Sequence, residues 1–577
     1  MFTLGLNAYH GDAAAAIYRN TELIAAIEEE RICRIKHWAG LPVQAVRFCL
    51  DEAGIGPEAL DAIAVSRNPY AKIGQKLGQV IRRGASPATL AHRARNSFNI
   101  RQLKQDLAAA FGLDARQWEV KIRYVEHHRS HLASAFFTAP FEEAALLSID
   151  GMGDFSSTMR AIGRSGRIEV IDSISYPHSL GYFYTMFTQL LGFPHYGDEY
   201  KVMGLAPYGE PVFADKLLEV IRLKPGGRFE LNGRFFRHFN EGIAMSWEGG
   251  SPQIGPLYTS ALEREFGPAR ASGEALSQRH RNLAASVQQV CETVIFHLAN
   301  DLHRRSGLPN LCLAGGVAQN SVANGKLCLK TPFRQLFVPP AGHDAGTSTG
   351  AALYHLHQQL GLPKPAYRHQ AYTGARETEA SIERLLRSRN ILFEKVSESA
   401  LPQRICACLV DGGVVGWFQG RAEFGPRALG NRSILADPRR SDAQDLLNAK
   451  IKRRESFRPF APSVLREATG DFFEQDAAVP YMEKVFVIRP EKRHLIPAVT
   501  HVDGTGRLQT VEKADNPRYY RLLECFYEKT GVPILLNTSF NENEPIVNTA
   551  AEALDCFLRT EMDLLVLENY LVSRNQA

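Results

Sequence analysis

AALLSIDGMGDFSSTMRAI, Ala144 to Ile162, is the stretch on which the fold turns. Its apolar run ends in a carboxylate, Asp150, followed at once by Gly151 and Gly153. A short apolar run bounded by glycine reads as a buried strand. A glycine turn at its end lets backbone N–H groups approach a phosphate closely, because no Cβ intervenes. The pattern occurs on either side. FTLGLNAYHGDAAAAIYRNTELIAAIEEER, Phe2 to Arg31, reads as strand, a turn carrying His10, Gly11 and Asp12, a second strand, and a third after Asn20. LCLAGGVAQNSVANGKLC, Leu311 to Cys328, reads as strand, the Gly315–Gly316 turn and a new element. Long helical stretches such as Leu283 to Arg305 separate these units, which is the pattern of an α/β domain.

Each turn alone is a weak signal, since short glycine turns mostly just change direction. Together they follow the order expected of an actin-like ATPase domain, with Gly151 and Gly153 on the phosphates and Gly315, Gly316 and Asn320 beside the adenosine. Just upstream, EHHRSHLASAFF, Glu126 to Phe137, places His127 and His131 at i and i+4 of a helix, on one face. Two imidazoles with Asp150 make a facial ligand set for a divalent transition metal, and Asp344 in GHDAGTSTGAAL offers a fourth ligand. The alternative is that both histidines merely pack.

At 577 residues the prior is about four folding units. With 45% hydrophobic and 22% charged residues the composition is that of an ordinary globular protein. The net charge of +5, from 67 basic and 62 acidic residues, gives no reason to expect nucleic acid as partner. The basic excess around Arg82, Arg83, Arg93, Arg95, Arg101 and Lys104 reads as a solvated face. Nine cysteines, an odd number, point to reduced thiols and a cytoplasmic protein. The start has no signal-peptide pattern and no stretch is long and apolar enough to span a membrane. There is no internal sequence repeat.

GLPKPAYRHQAY, Gly361 to Tyr372, is the linker candidate, which places one domain over residues 1–362 and another over 371–577. The second domain begins with helices near Glu377–Arg389 and Ala400–Asp411 and closes with VPILLNTSFN, the helix Ala550–Arg559 and LLVLENYLV, read as one strand. It is dense in cations. GRAEFGPRALGNRSILADPR supplies Arg421, Arg427, Arg432 and Arg439, and NAKIKRRESFRPFAP supplies Lys450, Lys452, Arg453, Arg454 and Arg458. Glycine and proline fix these loops and aromatics interleave them, so they read as an anion site built from guanidinium forks. Arg427, Arg432 and Ser433 lead it, with Arg458, His501, Arg507, Asn537 and Ser539 next. HVDGTGRLQ is also consistent with a simple turn.

These strings, with SIDGMGD, DEYKVMGLAPYG, HVDGTGRLQTV and LNTSFNENEPIV, resemble the O-carbamoyltransferases of the nodulation-protein U and antibiotic-tailoring type, over nearly the whole chain from Leu4 to Val572. The resemblance implies an N-terminal domain similar to the tRNA threonylcarbamoyl transferases, itself actin-like with two related subdomains, and a YrdC-like C-terminal domain. It implies that carbamoyl phosphate and Mg-ATP form a carbamoyl-adenylate, whose carbamoyl group passes to a hydroxyl of a small molecule. By the same resemblance His127, His131, Asp150 and Asp344 match metal ligands, with iron(II) the expected ion. His10 is the general-base candidate, since imidazole titrates near neutrality; Asp12 stands with it, and Lys201 is placed to approach a phosphate. Ala13 and Ala14 depart from the serine common in the first turn. A homodimer is the one macromolecular assembly entertained. The competing readings are a metallopeptidase, which lacks the glutamate of H-E-x-x-H, a tRNA threonylcarbamoyl transferase, and a non-catalytic nucleotide-binding module. The acceptor is not legible, and the region near Tyr70 to Leu113 is the expected acceptor wall.

Overall fold

The computed structural model describes residues 1–76, 102–243, 245–247, 250–367 and 371–574. The expected acceptor wall and the basic cluster from Arg82 to Arg101 therefore lie largely outside the described residues. The chain divides into two compact units, Met1–Ala323 with Leu327–Arg368, and Asn324–Lys326 with His369–Ala577.

In the first unit, β1 (Phe2–Asn7), β2 (Ala14–Arg19), β3 (Glu22–Glu28), β4 (Ala62–Val65) and β5 (Ile122–Tyr124) form a sheet in the order β3-β2-β1-β4-β5. The hairpin pairs β1/β2 and β2/β3 are antiparallel, while β1/β4 and β4/β5 are parallel. A second sheet repeats this plan. β6 (Ala144–Gly153), β7 (Ser156–Arg164) and β8 (Arg167–Ser175) are the antiparallel strands, and β13 (Asn310–Ala314) and β14 (Gln335–Phe337) add in parallel, in the order β14-β13-β6-β7-β8. Between them in sequence lie two small hairpins, β9 (Ile221–Lys224) with β10 (Arg228–Leu231) and β11 (Met245–Ser246) with β12 (Gln253–Ile254). The expected α/β class, with two related subdomains, is what the structure shows, although the duplication leaves no trace in the residues.

β2 is apolar along its length rather than alternating because the helices Val43–Ala53 and Gly346–Leu353 both pack on it. Ala13 to Ala16 are fully buried, and their small side chains bring helix and sheet together. The Gly346–Leu353 helix approaches still closer to β1. A Cβ at Gly5 would fall 1.9 Å from Ser348 O, and one at Gly350 would fall 1.9 Å from Ser130 O in the helix His127–Phe136. The long helix Gln278–Ser306, longer than its expected core, starts at a Ser277/His280 capping box and stops at Gly307, φ +67°.

In the second unit, nine strands form one mixed sheet, β15-β23-β22-β16-β17-β21-β18-β20-β19. They are β15 (Glu394–Lys395), β16 (Val415–Phe418), β17 (Arg432–Ala436), β18 (Ala461–Leu465), β19 (Lys484–Val487), β20 (Thr505–Val511), β21 (Ile534–Ser539), β22 (Leu564–Leu567) and β23 (Tyr570–Ser573). LLVLENYLV, expected as one strand, is two. Glu568 takes φ +52°, and β22 turns back on β23 as a hairpin. The helices Leu401–Val410 and Pro517–Thr530 pack together over a core containing Trp417, Phe460, Tyr519 and Phe526. No helix among the described residues is long and apolar enough to cross a membrane, and all nine cysteines are free thiols.

Candidate active site

Three elements of the first unit bring four side chains to one buried point. The helix His127–Phe136 presents His127 and His131, both fully buried; β6 presents Asp150; the turn before Gly346–Leu353 presents Asp344. His127 Nε2 lies 3.0 Å from Asp150 Oδ2 and 3.4 Å from Asp344 Oδ1. His131 Nε2 lies 3.3 Å from Asp344 Oδ1, 3.6 Å from Asp150 Oδ2 and 3.0 Å from His127 Nε2. The donor atoms of all four lie within 4.8 Å of one another.

This set fits a divalent cation. Two imidazole nitrogens face each other between two carboxylates, and each histidine's Nδ1 is buried without a hydrogen-bond partner, as is Asp344 Oδ1. Burial opposes charge on both sides, yet the neighbouring carboxylates push His127 up to about 10, and the histidines hold Asp344 well below the usual carboxylate range. Positive charge between the acids is thereby favoured. Nitrogen and carboxylate donors suit iron, manganese or zinc.

The glycine turns assemble this set. A Cβ at Gly153 would lie 2.0 Å from the His127 ring, so this glycine makes room for that side chain. Gly151 and Gly153 also sit inside β6, in an irregularity between Ile149 and Gly153, and the reversal falls at Asp154–Phe155, where both residues take positive φ. Asp154 Oδ2 accepts from His127 N at 2.9 Å and Asn68 N at 2.8 Å, fixing the start of the ligand helix. Gly315, φ +95°, lies where a Cβ would meet Ile149 O at 2.2 Å, and its N–H bonds Gly342 O. Gly316 N–H donates to Asp150 Oδ1 at 3.0 Å and so orients that carboxylate. Asn320, expected beside a nucleotide, caps the helix Ser321–Lys330 through Ala323 N and exchanges amide hydrogen bonds with Gln288. Its side chain is used up in holding the fold.

The first turn places His10 at the centre and Asp12 off it. His10 Nδ1 is 2.5 Å from Asp344 Oδ2, and its ring centroid is 5.2 Å from that of His127. Asn7 Nδ2 holds the turn through the carbonyls of Gly11 and Asp12. Asp12 Oδ1 lies 2.7 Å from His37 Nδ1 and is committed to that ring. Burial opposes the charge on His37, but Asp12 pushes it up to about 9. Lys201 is paired with Asp198 at 2.8 Å, so its charge already has an acidic partner.

In the second unit the loop after Glu423 is clamped from all sides. Glu423 Oε1 accepts from the backbone of Leu429, Asn431 and Arg432. Asn537 holds Ala428 O, Gln509 holds Leu429 O, and Trp417 and Gln419 hold Gly430 O. Arg427 rides on this loop. Burial, then repulsion from Arg427 and Arg454, pulls Arg507 well below the usual guanidinium range. Three guanidinium groups are thus close enough to repel, and the Nε of Arg507 is buried without a partner. His501 is pushed down to about 4 by burial, with Arg507 adding to it against the pull of Asp503. Its Nδ1 meets Thr505 Oγ1 at 3.0 Å and its Nε2 is buried without a partner. Gly504, φ +78°, makes the preceding stretch a tight turn as well.

The other expected members have protein partners in this structure. Arg432 is fully buried over the Phe418 ring, and its guanidinium donates to the carbonyls of Gln419, Asn431, Ala375 and Gly420. Ser433 Oγ accepts from Gly430 N. Arg458 is paired with Glu455 at 2.7 Å. Ser539 is bonded by Lys452, whose buried Nζ also reaches Asn541. Glu423 and Asp154 carry no sequence signal of their own, because each stands among many similar acidic residues.

Residues 3–353 match the family described as Carbamoyltransferase N-terminus, and residues 406–574 the one described as Carbamoyltransferase C-terminus. An uncharacterized protein of Synechocystis sp., sll1178, is 40% identical over 99% of this chain and 96% of its own length. Nodulation protein NolNO of Sinorhizobium fredii is 39% identical over 99% of this chain and 80% of its own. A 3'-hydroxymethylcephem-O-carbamoyltransferase of Streptomyces clavuligerus is 28% identical over 78% of this chain and 80% of its own.

Proposed function

This chain belongs to the carbamoyltransferase family, and from that premise we propose that it is an ATP-dependent O-carbamoyltransferase acting on a hydroxyl of a small molecule. The observation that carries the reading is the buried convergence of His127, His131, Asp150 and Asp344 with His10 against it. A relative named for carbamoylating a hydroxymethyl group supports the choice of a hydroxyl acceptor.

In this reading carbamoyl phosphate is first cleaved by water to carbamate and phosphate. A carbamate oxygen then attacks the α-phosphorus of Mg-ATP, giving carbamoyl-adenylate and pyrophosphate. Arg427, Arg454 and Arg507 would neutralise the phosphate oxygens that otherwise repel that attack, and the clamped loop would hold Arg427 in place. His127, His131, Asp150 and Asp344 would hold a divalent ion, iron(II) by resemblance, which when bound supplies Lewis-acid polarisation of the carbamoyl carbonyl. His10 would take the acceptor's proton, with Asp344 fixing the orientation of its ring. The acceptor oxygen bonds the carbamoyl carbon and AMP departs.

The test is purified protein with ATP, carbamoyl phosphate and pooled hydroxylated metabolites, followed by mass spectrometry. A product heavier by one carbamoyl group, formed only when both co-substrates are present, is expected. Carbamoylated product without ATP, or carbamoylation of amines alone, would overturn the reading.

A further inference from the structure

Tyr196, at the head of HYGDEYKVMG, has no part in the metal set or the anion loop. Its ring covers Gly11, where a Cβ would lie 2.5 Å from the hydroxyl oxygen and 2.8 Å from Cζ. Gly11 stands between His10 and Asp12, so the hydroxyl lies over the turn that carries the base candidate. The ring is held from the other side by His37, edge-on at 5.3 Å between centroids. His37 is itself fixed by Asp12 Oδ1 on Nδ1 at 2.7 Å and by Glu30 Oε2 on its backbone N–H at 2.8 Å. The Asp12–His37 pair therefore acts as a brace for the phenol. Among the described residues the Tyr196 hydroxyl makes no hydrogen bond.

Resting on the carbamoyl-transfer reading above, we propose that the Tyr196 O–H is a catalytic hydrogen-bond donor to the carbamoyl oxygen during transfer. As the acceptor oxygen bonds the carbamoyl carbon, the carbonyl π pair moves onto oxygen, and the acceptor proton passes to His10. The pair then returns, the carbon–oxygen bond to AMP breaks, and AMP leaves with its electrons. Negative charge thus grows on the carbamoyl oxygen close to the carboxylates of Asp150 and Asp344, where a fixed donor offsets it. Burial and the carboxylates of Asp344, Asp12, Asp150 and Glu199 push the phenol well above its usual range, so it keeps its proton and acts as a donor. The acceptor oxygen is the poorer candidate for this donor, because a hydrogen bond to its lone pair would weaken the nucleophile.

The experiment compares wild type, Tyr196→Phe and Gly11→Ala in the full chain, in two assays. One follows pyrophosphate from ATP and carbamoyl phosphate; the other follows AMP from supplied carbamoyl-adenylate with water as the acceptor probe. Phenylalanine keeps the ring on Gly11 and His37, so pyrophosphate release should be unchanged while the turnover for AMP release falls about 10²- to 10³-fold, with KM for carbamoyl-adenylate nearly constant. Gly11→Ala keeps the hydroxyl but displaces it and should lose AMP release likewise. AMP release by Tyr196→Phe within about threefold of wild type, or a loss confined to KM, would overturn the proposal. Should Tyr196→Phe fail to fold, unchanged AMP release by Gly11→Ala overturns it. A wild type lacking both activities overturns the reading beneath the proposal and the proposal with it; an active wild type with an unchanged variant overturns the proposal alone.

Discussion

Arg427 and Arg432 lie close together in one basic segment, yet their surroundings give them opposite roles. Arg427 and Arg454 both press their charge on the buried Arg507 and hold its guanidinium below the usual range, and in the proposed reading an anion offsets that repulsion. Arg432 spends its donors on backbone carbonyls beneath the loop and has no surface exposed. Removing it strands several buried carbonyls, at about 1–3 kcal/mol for each group left unsatisfied. Arg432→Ala is therefore expected to lower the melting temperature sharply, and lysine is not expected to restore it because it lacks the planar fork. Thermal melts of the alanine and lysine variants check this; a normal melt with a raised KM for carbamoyl phosphate would return Arg432 to the anion site.

Among the elements, the Gly346–Leu353 helix does most to assemble the centre. It touches β1 at Gly5 and the ligand helix at Gly350, so the turns bearing His10 and Asp344 and the face bearing His127 and His131 meet at backbone contact distance. Gly350→Ala would set a methyl group 1.9 Å from Ser130 O, a clash with backbone that cannot rotate away. The expected cost is about 1–3 kcal/mol for overpacking, with loss of bound divalent metal on elemental analysis. Full metal content and an unchanged melt in this variant would show that the helix does not set the ligand spacing. Local periodicity made much of this scale legible in the sequence. His127 and His131 share a face because helix geometry fixes i and i+4, and Asp150 ends an apolar strand run. What depends on distant partners was not legible. Gly153 looked like a phosphate turn because the His127 ring that fills its space lies far away in sequence, and Asn320 looked like a nucleotide contact because Gln288 was invisible beside it. The hairpin at Glu568 has no glycine to announce it. The duplicated sheets share hydrogen-bond order, which many residue choices satisfy equally.

For the whole molecule, the proposed function divides the chemistry, with adenylate formation in the second unit and transfer in the first. The most direct measurement is both half-reactions on wild type, His131→Ala and Arg507→Ala: pyrophosphate from ATP with carbamoyl phosphate, and AMP from supplied carbamoyl-adenylate. The account predicts that wild type performs both. His131→Ala should keep pyrophosphate release while losing AMP release and bound metal, and Arg507→Ala should lose pyrophosphate release while keeping AMP release. Pyrophosphate release absent from wild type, or both half-reactions falling together in each variant, would contradict it.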